Sequence, residues 1–101
     1  MARVELAPEV AEDFERILDH LIRHEASAIP GRIHGLIQAL DILQEHPLIG
    51  RPARNDKREL VIGRGARGYV ALYRYLPEVD TVFVLAIKGQ REAGYGSGVQ
   101  E

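Results

Sequence analysis

The sequence predicts an α+β domain: a short N-terminal strand, then an antiparallel two-helix hairpin packed on one face of a small twisted antiparallel sheet. Three observations lead there. Apolar residues recur with helical spacing in two adjacent windows of the first half. The second half carries three short runs of branched and aromatic residues separated by tight connections. Finally, the 101 residues leave room for one core, and two helices alone bury too little surface to make it.

The elements follow in order. Val4-Glu5-Leu6 reads as extended and stops at Ala7-Pro8, where proline suits the first turn of a helix. Glu9, Glu12 and Asp13 then stand near the positive end of the helix dipole. Val10, Phe14, Ile17, Leu18, Leu21 and Ile22 form one apolar face of a helix running to about His24. Ser27 is a candidate cap for a second helix with Pro30 near its first turn. Ile29, Ile33, Leu36, Ile37, Leu40 and Leu43 repeat the spacing until His46-Pro47, because a residue before proline is steered out of the helical region. Residues 47–57 read as loop, broken by Gly50 and Pro52. Strands are predicted over 60–62, 69–76 and 81–87 from their branched and aromatic content. Short links between consecutive strands imply antiparallel pairing. The domain is expected to span residues 1–95, with a frayed tail at 96–101.

Composition narrows the function classes. Hydrophobic residues at 46% and charged residues at 28% suit a folded globule rather than a disordered chain. No apolar run approaches a membrane span, and Met1-Ala2-Arg3-Val4-Glu5 lacks the apolar core of a signal peptide, so a cytoplasmic location is expected. With no cysteine, disulfide frameworks, thiolate zinc sites and a cysteine nucleophile are excluded. His20 and His24 lie one turn apart beside Glu25, but no third ligand shares their face, so surface histidines rather than a metal site are expected. Gly63-Arg64-Gly65-Ala66-Arg67-Gly68 has neither the strand–loop–helix setting nor the lysine of a phosphate-binding loop. Tyr69, Tyr73 and Tyr75 share a strand face. They could stack on bases, but packing under the helices is the expectation.

The net charge of −2 divides unevenly. Residues 1–50 carry four bases against nine acids, and residues 51–101 carry nine against six. Arg51, Arg54, Lys57, Arg58, Arg64, Arg67 and Arg74 crowd one stretch, opposed only by Asp56 and Glu59. Such a stretch serves phosphate contact, an acidic protein partner, or simply a solvated strand edge.

Three strings carry a resemblance: Arg58-Glu59-Leu60-Val61-Ile62-Gly63, then Gly68-Tyr69-Val70-Ala71-Leu72-Tyr73-Arg74-Tyr75, then Val84-Leu85-Ala86-Ile87-Lys88-Gly89-Gln90-Arg91-Glu92-Ala93-Gly94-Tyr95. In this order, over residues 2–95, they resemble successive blocks of the RelE/ParE superfamily of toxins from type II toxin–antitoxin, or plasmid stabilisation, systems. The resemblance implies an antitoxin partner whose C-terminal segment wraps the toxin, with no cofactor or metal. It also implies one of two targets. RelE-like members are metal-independent endoribonucleases acting on ribosome-bound mRNA; ParE-like members poison DNA gyrase. For a nuclease, Arg91 and Tyr95 match the C-terminal arginine and tyrosine of the family. Against it, Val70 and Gly89 stand where an arginine and a histidine are common. Neither valine nor glycine neutralises a phosphoryl group or moves a proton, and losing one such contact costs a factor of about 100 to 1,000 in rate. The ParE-like alternative is therefore preferred, with Arg51, Arg54, Arg58, Arg67, Arg74 and Lys88 as candidates for binding antitoxin or target.

Overall fold

Alternating strand residues and helical stripes meet in one core. The structure is a computed structural model and describes residues 1–24, 26–63 and 68–92. Its elements are β1 (Arg3–Leu6), α1 (Pro8–Arg23), α2 (Ile29–Asp41), β2 (Arg51–Pro52), β3 (Arg58–Ile62), β4 (Tyr69–Leu76) and β5 (Thr81–Gly89). The strands form one sheet in the order β1-β5-β4-β3-β2. The α+β class and the short first strand are as the sequence predicts. The sheet, however, is mixed: β1 lies parallel to β5, with Val4 opposite Val82, while every other pairing is antiparallel. Rules for neighbouring strands cannot reach that pairing, because both helices and the strands β2 to β4 lie between its two partners in sequence.

Pro8 does open α1. For α2 the residue before the helix is Ala28, in a left-handed conformation, and no side chain caps the end, so Ser27 does not serve as expected. Beyond Asp41 the chain tightens into a short 3-10 helix, Ile42–Gln44. The segment read as loop contains β2. Its link to β3 turns through Asn55 and Asp56, both with φ near 60°, and Lys57 N–H donates to the Arg54 carbonyl. Two consecutive positive-φ residues of this type are the signature of a tight hairpin turn, a signal that Asn55-Asp56 carried.

Val10, Ile17 and Leu21 of α1, Leu36 and Leu40 of α2, and Leu43 press on Ala71, Tyr73, Val82, Val84 and Ile87 of the sheet. α1 lies chiefly along β5, and its seam with α2 is thinner. A bulge adjusts the register: Leu72 faces Ala86 but Tyr73 faces Val84, leaving Leu85 as the extra residue. That one-residue shift lets both Val84 and Ile87 point to the helices despite odd spacing.

Tyr73 is the largest buried side chain, at 0% exposure. Tyr69 and Tyr75 are partly buried against the same cluster, so the tyrosine row packs under the helices. The Tyr73 hydroxyl accepts a hydrogen bond from Gly50 N–H at 2.8 Å. Burial pushes the Tyr73 phenol above its ordinary pKa, while the Gly50 bond and the nearby Arg58 pull it back in part. A Cβ on Gly50 would lie 2.7 Å from the Tyr73 ring and 2.8 Å from the Glu59 carbonyl, so only glycine fits. Gly50→Ala should destabilise the fold by about 1–3 kcal/mol through forced displacement. Tyr73→Phe, which orphans the amide, should cost about 1–3 kcal/mol; denaturant unfolding reads both. Because the folded phenol has the higher pKa, its contribution is complete below the ordinary tyrosine pKa of about 10 and is lost as pH rises through the folded value. Stability measured across alkaline pH should therefore fall less steeply in Tyr73→Phe than in the parent.

Candidate functional site

Asp13 sits three residues after Val10 and four before Ile17, so helical spacing turns its carboxylate toward the core instead of the solvent. It is 3% exposed. One carboxylate oxygen accepts the Ile87 amide of β5 at 2.9 Å, and the other accepts Arg16 at 2.7 Å. Arg16 reaches further: it donates to the Ile87 carbonyl at 2.9 Å and to both Glu92 carboxylate oxygens at 2.9 and 3.1 Å. Glu92 in turn accepts the Gly89 amide at 2.9 Å. Burial alone would lower the Arg16 pKa, but its bonds to Glu92 and Asp13 outweigh it and hold the guanidinium above its ordinary value. A two-carboxylate clasp thus fastens α1 to the end of β5 and to the turn that presents Arg91.

Above the clasp, α1, the start of α2, and the facing ends of β4 and β5 leave a groove of about 600 Å³. Its described lining includes His20, His24, Arg32, Tyr69 and Arg91, over a floor containing Ile17 and Leu21. The two imidazoles touch, with ring centroids 4.3 Å apart. The sequence treated these histidines as plain surface residues and gave Arg32 no role; nothing in spacing along one helix could have joined them to Arg91.

The basic stretch behaves differently. Arg51 pairs with Glu59 at 3.1 Å. Arg58 donates to the Leu48 and Gly50 carbonyls, bracing the loop that carries Gly50. Arg74 donates to the Asn55 carbonyl at 2.9 Å, and its Nε is buried without a partner among the described residues. Arg54 is exposed. Lys88 stands opposite Val70 on the sheet face turned from the helices. Arg67 and Tyr95 fall outside the described residues, as do Glu25 and the whole of 93–101, which includes the end expected to fray at 96–101.

That outer face bears on RNA chemistry. Val61, Val70, Leu72 and Ala86 line its middle by register, and Val70 is 4% exposed. At Gly89 an added Cβ would meet nothing within 4 Å, so space does not forbid a side chain there. His20 and His34 lie in the helices, His24 directly after α1, and His46 two residues past the 3-10 helix that follows α2.

Comparison with known proteins identifies the family. The family model described as the ParE toxin of the parDE type II toxin–antitoxin system matches residues 4–94. The chain is also 32% identical over 92 residues to a protein named Toxin RelE3 from Caulobacter vibrioides, covering 91% of this chain and 98% of that protein.

The clasp gives a direct test. Arg16→Ala removes one partner of the buried Asp13 and should destabilise by about 1–3 kcal/mol. Glu5→Ala, which breaks only the exposed pair with Arg3, should change stability by less than about 1 kcal/mol. Equal losses in thermal unfolding would show that the clasp carries no special weight.

Proposed function

Because the chain belongs to the ParE toxin family of type II toxin–antitoxin systems, we propose that it is a ParE-like toxin, directed at DNA gyrase and not a nuclease, held in check by a cognate antitoxin. The observation that carries the choice of target is the apolar outer sheet face centred on Val70, Leu72 and Ala86. Cleaving RNA without a metal needs a proton acceptor and cations grouped at the scissile phosphate. On the outer face, buried aliphatic side chains occupy the middle, and Arg74 and Lys88 stand apart. Arg74 and Val70 share that face but lie four residues apart, roughly 13 Å along the strand.

The antitoxin engages the basic residues of the second half through an acidic segment that folds on binding: Arg54, which is exposed, with Arg51, Arg58, Arg74 and Lys88 as further candidates, and with Arg67 a candidate from the sequence alone. No described helix is long and apolar enough to cross a membrane, which suits a cytoplasmic toxin in a complex with its antitoxin.

A second reading has its own support. Arg91 lines a groove with two histidines and Tyr69, and the relative from Caulobacter carries the name RelE3. On that reading the chain is a ribosome-dependent endoribonuclease using Arg91 and Tyr95. The purified chain should inhibit supercoiling by gyrase and leave mRNA on programmed ribosomes intact. Mapped mRNA cleavage that Arg91→Ala abolishes, with supercoiling unaffected, would sink the gyrase reading.

A further inference from the structure

The turn after β5 is held more firmly than a surface connection requires. The Glu92 N–H donates to the Gly89 carbonyl at 3.1 Å, and the Gly89 N–H donates back to the Glu92 carboxylate at 2.9 Å. Between them, the Gln90 N–H donates to the Gly68 carbonyl at 3.0 Å. Arg16 bonds both Glu92 oxygens, and its own place is fixed by Asp13 and the Ile87 carbonyl. Arg91 stands among these anchored residues, exposed and without an acidic partner among the described residues. We propose that Arg16 and Glu92 are positioning residues, holding the turn so that the Arg91 guanidinium is presented in one place to an anionic group of the toxin's target. The inference rests on the toxin reading and adds to it the residues that deliver the contact.

Three features argue for it. A buried carboxylate–guanidinium network is a poor source of stability, since apolar residues of similar volume do as well or better. What such a network supplies is a single geometry for the group it supports. Asp13 is 3% exposed, and the network that begins there ends on the turn. Secondly, Asp13 alone already ties α1 to β5 through the Ile87 amide. The bonds from Arg16 to Glu92 are not needed for that junction and act only on the turn. Arg16 makes them with Nε and Nη2 while Nη1 holds Asp13, a division of partners open to a planar guanidinium and closed to the single nitrogen of lysine.

The third feature is electrostatic. Glu92 adjoins Arg91 in the sequence and would be its nearest counter-charge. Arg16 occupies that carboxylate instead, so the Arg91 charge stays available for a partner. A fixed backbone also reduces the freedom that an arginine gives up on binding, and a guanidinium so placed can fork onto an oxyanion.

The test compares the parent chain with Arg91→Ala, Glu92→Ala, Glu92→Gln, the double variant Arg91→Ala, Glu92→Ala, and Glu5→Ala as control. Glu92→Ala leaves the Asp13–Arg16 pair and both Ile87 bonds in place, so its thermal midpoint should move by no more than about 5 °C. In gyrase supercoiling, Arg91→Ala and Glu92→Ala should each raise the half-inhibitory concentration about five- to twentyfold. Glu92→Gln keeps the acceptor that Gly89 and Arg16 Nη2 share and should lose only about two- to threefold. The double variant should match Arg91→Ala alone, because Glu92 acts through Arg91. NMR relaxation of the Arg91 Nε–H should show order lost in Glu92→Ala and kept in Glu5→Ala. Inhibition by Arg91→Ala at the parent's level would overturn the proposal. So would losses that multiply in the double variant, or an Arg91 side chain equally ordered without Glu92. Growth arrest on induced expression separates the clasp from the choice of target. Arrest that weakens in the same order, from a parent that leaves gyrase untouched, supports the clasp and overturns the gyrase reading. Gyrase inhibition that survives in every variant overturns the clasp and leaves that reading standing.

Discussion

A buried carboxylate that must be satisfied governs much of this molecule. Asp13 lies inside the apolar stripe of α1, and a desolvated charge is tolerated only when paired and hydrogen-bonded. Its partners are the Ile87 amide and the Arg16 guanidinium. Those two bonds fix both the rotation of α1 and its position along β5. Arg16 then extends the constraint to Glu92, so the turn that carries Arg91 is set by a residue at the opposite end of the sequence. Hydrophobic contact alone would leave α1 free to slide along β5, because burial has no directional preference.

Tyr73 plays the matching part on the central strand. Its ring fills the core and its hydroxyl meets Gly50, while Arg58 holds the same loop through backbone carbonyls. The loop before β2 is thereby pinned to the central strand. The bulge at Leu85 makes this compatible with the clasp: it resets β5 between Val84 and Ile87, so that one strand serves both anchors. The two ends of the domain are thus separately tied, with the cationic groove at one and the basic hairpin at the other.

This separation alters the meaning of charge in the sequence. Arginines that look like a binding patch between positions 51 and 74 include two that brace loops and one that pairs with Glu59. Arginines that look isolated, Arg32 and Arg91, come together across a groove with a histidine pair. For binding any acidic group, the cations with unmet charge matter more than the density of cations along the chain. An arginine that already bonds a backbone carbonyl has fewer of its five N–H donors left for a ligand, and its position is set by that bond.

The sequence by itself determined the local elements, because their causes are local. Helical spacing of Val10, Ile17 and Leu21 placed α1, Pro8 opened it, and branched and aromatic runs marked β3, β4 and β5. It also carried the family, since the blocks around Tyr69 and Arg91 survive as strings. The tertiary structure alone decided the rest. The parallel pairing of β1 with β5 joins residues almost eighty positions apart. The hairpin at Asn55-Asp56 was written in its two turn residues but hidden within a segment full of breakers. Asp13 was legible as an acid near a helix start, yet whether it met solvent or the core depended on which face the sheet covered. The groove has no sequence signature at all, because α1, α2, β4 and β5 each contribute only a few side chains, and only packing brings them within reach of one ligand.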